Sequence, residues 1–77
     1  MKTSLNFQRL AQLREDRDWS RREVIFKLHD LQIDVSEGTL ANWENGDTTP
    51  NIHELLGLSK IYGIPLNHLL HDASPTA

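Results

Sequence analysis

The chain has no cysteine, so neither a disulfide framework nor a thiolate-held metal is open to it. No apolar run approaches the roughly 20 residues of a membrane span. Met1-Lys2-Thr3-Ser4 is followed by no apolar signal core, so the expected location is the cytoplasm. No alternating strand pattern, internal repeat or low-complexity stretch is visible. Cations are scarce beyond the first third: residues 28–77 hold one, Lys60, against seven anions. Residues 1–27 reverse this, with seven cations against four anions. A net charge of −3 weighs against a nucleic-acid partner. The asymmetry softens that objection, because a basic front and an acidic back orient a molecule on a phosphate surface, and plain uneven surface charge gives the same counts. What remains is an ordinary composition, 38% hydrophobic and 25% charged over 77 residues. That length supports one domain with a modest core.

Helical periodicity and helix punctuation predict five helices. Phe7, Leu10, Ala11, Leu13 and Arg14 recur at helical spacing over Asn6 to Asp16. Ser20-Arg21-Arg22-Glu23 is a capping box, flanked by Trp19 and Val24 as a hydrophobic staple, and opens a helix running to about Leu31. Ser36 caps a third helix that ends at Gly46, with Val35 and Leu40 placed as its staple. After Thr48-Thr49-Pro50, Asn51 and Glu54 form a second capping box, and the helix they open stops at Gly63. A short fifth helix after Pro65 carries Leu66, Leu69 and Leu70. The expected domain is 1–72, all-α and compact, and 73–77 reads as a flexible tail.

The third helix has two unlike faces. Leu40, Trp43 and Glu44 share one by their i, i+3, i+4 spacing. The other shows Glu37, Gly38, Ala41, Asn42 and Asn45, all small or short and polar, which lets the helix approach a flat partner closely. Asn pairs with an adenine edge in the major groove, and Glu accepts from cytosine N4. A short surface helix with ordinary polar residues has the same composition, so these residues alone leave both readings open. Arg14 and Glu44 fall on inward faces, where a charge is tolerable only with a partner. The economical solution is that they meet and tie the first helix to the third.

Together, Leu10 to Arg14 (LAQLR), Trp19 to Leu28 (WSRREVIFKL), Val35 to Gly46 (VSEGTLANWENG), Pro50 and Ile52 to Leu70 (IHELLGLSKIYGIPLNHLL) resemble the Cro and lambda-repressor-like, or Xre-type, helix-turn-helix family. The resemblance implies five packed helices, with the second and third forming the helix-turn-helix and the third lying in the major groove of double-stranded DNA. It places base reading on Glu37, Gly38, Thr39 and Asn42, and phosphate anchoring on Arg21 and Asn45. It also implies an Arg14–Glu44 ion pair, in agreement with the face argument. Arg22 and the Ser36 helix start complete the expected DNA-binding set. Three departures stand out: His29 to Ile33 are extra between the second and third helices, Ile25 replaces a small residue, and Gly38 removes a side chain from a base-reading position.

The expected function is a transcriptional regulator, a repressor, that needs no cofactor or metal and is not an enzyme. So few reading side chains specify only about three or four base pairs, which predicts a homodimer on an inverted repeat. Ile64, Leu66 and Leu70 are the dimer contact candidates. The alternative from another class is a protein-interaction module on the same scaffold with little DNA affinity, in keeping with the negative charge and with Glu37 and Asp47. His68 and His71 lack a third ligand, His29 and His53 are isolated, and Asp16 and Asp18 read as a solvated turn. Trp19 and Trp43 stand at cap and core positions rather than on a stacking platform.

Overall fold

Each of the four α-helices among the described residues starts on a side-chain cap and ends on one left-handed residue. The computed structural model describes residues 3–72. Helix α1 (Phe7–Asp16) is capped by Asn6, α2 (Arg21–Asp30) by Ser20, α3 (Glu37–Asn45) by Ser36 and α4 (Ile52–Tyr62) by Asn51. In every case the cap side chain accepts the backbone N–H three residues on, which satisfies one of the exposed donors of the first turn. Both predicted capping boxes close, with Glu23 and Glu54 accepting from the cap residue's own N–H at 2.8 Å.

The helix ends follow from Asp18, Gln32, Gly46 and Gly63, which have φ of 58°, 65°, 82° and 69°. The residue after each donates to the carbonyl five positions back: Trp19 to Arg14, Ile33 to Leu28, Asp47 to Asn42 and Ile64 to Ser59. This is the Schellman closure, which turns the chain sharply and satisfies a terminal carbonyl. Glycine takes that conformation without cost at two of the ends, and Asp18 and Gln32 take it against a side-chain penalty.

The extra residues after α2 continue that helix and then fold back. Leu28 is fully buried, Leu31 is half-buried and Asp30 is exposed. Gln32 reverses the chain and brings Ile33 into the core. Ile33 settles on α4 at Gly57, where a Cβ would collide with the Ile33 Cδ1 methyl and crowd Leu28 Cδ2 at 3.3 Å. A glycine inside a helix costs about 1 kcal/mol relative to alanine. Here it makes room for the added segment.

The core is formed by Leu10 and Leu13 of α1, Val24 and Leu28 of α2, Leu40 and Trp43 of α3, and Leu55, Leu58 and Tyr62 of α4, with Leu5, Ile33 and Leu69 closing its edges. α3 packs against both α1 and α2, and α4 against α2. Ile25 packs against this core, half-buried, in place of a smaller residue. Phe7 departs from its expected inward place. It is 37% exposed, and its ring lies over Gly46, where an added Cβ would meet it at 3.0 Å.

The expected fifth helix is one 3-10 turn, Leu66–Leu69. Pro65 supplies no side-chain cap, and only four residues precede the point where the chain is drawn straight. Asn6 N–H donates to the Leu69 carbonyl at 2.8 Å, and beyond it β2 (Leu70–Asp72) pairs antiparallel with β1 (Thr3–Leu5), Leu5 opposite Leu70. The packing is therefore all-α, with a three-residue ribbon tying the two ends of the described chain. The expected tail, 73–77, lies outside the described residues. Ile64, Leu66 and Leu70, the dimer contact candidates, are half-buried and packed against the core. The larger exposed apolar side chains are Phe26 on α2 and Ile52 and Leu56 on α4.

Candidate nucleic-acid interface

α3 is fixed by its inner face. Leu40, Trp43 and Glu44 are 0%, 2% and 5% exposed. That anchoring leaves Glu37, Gly38, Asn42 and Asn45 exposed, with Ala41 half-buried beside them, as the spacing predicts. Gly38 leaves a gap in this face, where a Cβ would meet nothing nearer than Ser36 Oγ at 3.9 Å. Ser36 sits at the head of the helix, and its hydroxyl is also 2.9 Å from Thr39 Oγ1. Thr39 is half-buried, so its hydroxyl is turned toward the cap.

The Arg14–Glu44 pair is present and bidentate. Arg14 Nε donates to Oε2 at 2.8 Å and Nη2 to Oε1 at 3.1 Å, while Nη1 donates to the Trp19 carbonyl at 3.0 Å. The Glu44 side chain is 1% exposed and that of Arg14 13%. Hydrogen bonding to Glu44 holds the guanidinium above its ordinary pKa, against burial, which lowers it.

A third partner was not expected. Arg21 Nε donates to Glu44 Oε1 at 2.9 Å. Placement on apolar helix faces locates Arg14 and Glu44, but the reach of a long side chain at the first helical position depends on how the helices cross. The neighbouring Arg22 meets Glu37 across the turn at 3.5 Å, with both side chains largely exposed. The structure thus joins Arg21 to Glu44, Arg22 to Glu37 and Ser36 to Thr39, while Asn42 and Asn45 stand exposed.

Two more cations of the basic front are engaged at its base. Arg17 donates to the carbonyls of Leu13 and Tyr62 at 2.9 and 2.8 Å. Its guanidinium lies 5.6 and 5.3 Å from the ring centroids of Trp19 and Tyr62. Those rings stack at 5.7 Å, and Lys27 Nζ sits 4.3 Å from the Trp19 centroid. Trp19 is thereby held in a cluster between α1, α2 and α4. The Tyr62 hydroxyl is buried and has no hydrogen-bond partner among the described residues. Burial first, and then the Glu44 charge, push its pKa well above the ordinary phenol range.

Elsewhere the surface offers a shallow groove of about 550 Å³, lined by Leu31, Ile33, His53, Leu56, Gly57, Ser59 and Lys60. His29 Nδ1 is 2.9 Å from Asp34 Oδ1. His68 is exposed, and the side chain of His71 lies outside the described residues. Among the described residues no group of three or more His, Asp or Glu side chains is placed to hold a metal ion. No helix among them is long and apolar enough to cross a membrane.

Two helices joined by a turn, the second anchored by its inner face and presenting short polar side chains outward, form a helix-turn-helix. A helix-turn-helix family model matches residues 10–69, and the chain belongs to that family, of the Cro-like, Xre type. The family's domain is a DNA-binding one and typically non-enzymatic. Comparison with curated proteins and with solved structures returns no significant match.

Proposed function

We propose that the protein is a sequence-specific regulator of transcription, a repressor, that reads double-stranded DNA with α3. The observation that carries this reading is the outer face of α3. Its side chains are short and polar around an open Gly38, while the inner face is anchored in the core. A helix so built enters a major groove without steric hindrance, and only the exposed Arg22–Glu37 pair has to open. Asn42 reads an adenine edge, and Glu37 accepts from a cytosine N4 once released from Arg22. Arg21, Arg22, Asn45 and the Ser36 helix start fix the register on phosphates. Thr39 contributes through its methyl group, since its hydroxyl faces Ser36.

With so short a reading surface the protein acts as a homodimer on an inverted repeat, its two α3 helices entering successive major grooves about 34 Å apart. Half-buried Ile64, Leu66 and Leu70 offer only part of their surface to a second copy, so free chains associate weakly and assemble on the operator. Sedimentation of the protein with a selected duplex tests this. Two chains per site are expected, and one chain on a site without symmetry contradicts it.

A specific observation favours the second reading, a protein-interaction module. Of the seven cations in residues 1–27, Arg14, Arg17, Arg21, Arg22 and Lys27 are engaged by carboxylates, carbonyls or rings. Titration of duplex DNA at several salt concentrations separates the two. DNA binding through phosphates gives a slope of about −0.9 per contact on a log–log plot. No binding at low salt supports the interaction module.

A further inference from the structure

We infer that Glu44, buried and out of reach of any nucleic acid, is a positioning residue for Arg21. The inference rests on the DNA-binding reading above, in which Arg21 contacts a phosphate. Glu44 is 1% exposed at its side chain, and one of its oxygens, Oε1, accepts from both Arg14 Nη2 and Arg21 Nε. Arg14 is held in turn by the Trp19 carbonyl. The Arg21 side chain is 39% exposed, and among the described residues its Nη groups have no hydrogen-bond partner.

The geometry divides Arg21 into two functions. Its Nε is spent inward on a fixed carboxylate, which sets the plane of the guanidinium. Its Nη donors are left without a hydrogen-bond partner among the described residues, on a side chain that is 39% exposed at the first turn of α2. Arginine suits this role because its donors form a rigid planar fork, so anchoring one donor orients the others. One carboxylate shared by two guanidinium groups leaves a net positive charge on the trio, so the anchoring does not cancel the charge that a phosphate would meet. Glu44 also belongs to the inner face of α3, so one buried carboxylate holds the phosphate contact and the reading helix in one frame.

Charge and positioning make opposite predictions here. If Arg21 acts only as a point charge, lysine replaces it, and removal of the Glu44 carboxylate strengthens binding to DNA. If Glu44 positions Arg21, lysine fails, because one ammonium cannot meet both Glu44 and a phosphate, and removal of the carboxylate weakens binding.

The test uses the whole chain and a duplex recovered by selection from a random pool. Affinity is measured for wild type, Arg21→Lys, Arg21→Ala, Glu44→Gln and the double variant Arg21→Ala/Glu44→Gln, with folding checked by circular dichroism. Arg21→Lys is expected to lose about tenfold, close to the loss of Arg21→Ala, as befits a charge-assisted contact. Glu44→Gln is expected to lose severalfold in the wild-type background and nothing in the Arg21→Ala background. Arg21→Lys leaves the Arg14–Glu44 pair intact, so wild-type binding by this variant overturns the inference even if Glu44→Gln does not fold.

Arg21→Lys binding like wild type overturns the inference. So does an equal loss from Glu44→Gln in both backgrounds, because Glu44 then acts through the fold alone. Arg21→Ala binding like wild type overturns the inference while leaving DNA binding in place. Wild-type protein that binds no duplex at any salt concentration overturns both.

Discussion

Removing Arg14 strikes the structure where a buried charge depends on it. Arg14→Ala takes away two of the three donors to Glu44, a carboxylate only 1% exposed at its side chain. Breaking a buried ion pair from one side costs about 3–5 kcal/mol, because the remaining charge is left without compensation. Arg21 stays bonded to Glu44 and is itself 39% exposed, so the loss falls at the lower end, about 3 kcal/mol. A 77-residue chain has a total stability of roughly 4–12 kcal/mol, so this is a quarter of it or more. In melting temperature it is a drop of roughly 12–24 °C, at about 4–8 °C per kcal/mol for a domain of this size. Urea denaturation reads it directly, with Arg22→Ala as the control, since Arg22 is 72% exposed and its pair with Glu37 contributes about 0–1 kcal/mol. Replacing both partners, Arg14→Met with Glu44→Met, is expected to cost less than Arg14→Ala alone, because no charge is left buried. An Arg14→Ala midpoint no lower than that of Arg22→Ala refutes the reasoning.

Three further outcomes rest on separate parts of the fold. Gly57→Ala destabilises by about 1–2 kcal/mol because overpacking against Ile33 outweighs the helix-propensity gain, whereas Gly38→Ala on the open face stabilises by about 0.5–1 kcal/mol. Thermal denaturation of the two variants checks the opposite signs, and a shared sign contradicts the packing. Gln32→Gly stabilises by about 0.5–1 kcal/mol by relieving the left-handed backbone at φ 65°, and an unchanged denaturation midpoint counts against the strain. The Tyr62 phenol is raised above its unfolded value of 10.0, so its contribution is fully present below pH 10.0 and declines as pH rises above it. Tyr62→Phe removes that part of the alkaline loss and also the unpartnered hydroxyl. Stability measured from pH 9 to 11 is expected to fall less steeply in the variant, and parallel curves contradict the account.

What was legible in the sequence was local or periodic. The Ser20–Glu23 and Asn51–Glu54 boxes, the Ser36 cap and the stops at Gly46 and Gly63 depend on residues within five positions of one another, and all are present. Arg14 and Glu44 were legible because a charge on an apolar face requires a partner. The continuation of α2 to about Leu31 was legible from its capping box and apolar spacing.

Long-range geometry was not legible. The Thr3–Leu5 and Leu70–Asp72 ribbon pairs segments too short to show alternation, and that pairing converts the expected last helix into a single 3-10 turn. Gln32 and Asp18 end helices where no glycine marks the spot. The reach of Arg21 to Glu44, of Arg22 to Glu37 and of Lys27 to Trp19 depends on how the helices cross. These contacts determine how much of the basic front remains free, which a count of charges overstates.

The proposed reading of DNA by α3 is tested most directly by selection of bound duplexes from a random pool, run in parallel with wild type and Asn42→Ala. Wild type is expected to enrich one inverted repeat with half-sites about one helical turn apart. Asn42→Ala is expected to lose about 1–3 kcal/mol on that site and to relax preference at one position in each half-site. A pool that shows no enrichment, or an Asn42→Ala variant that selects the same sequence with the same affinity, contradicts the account.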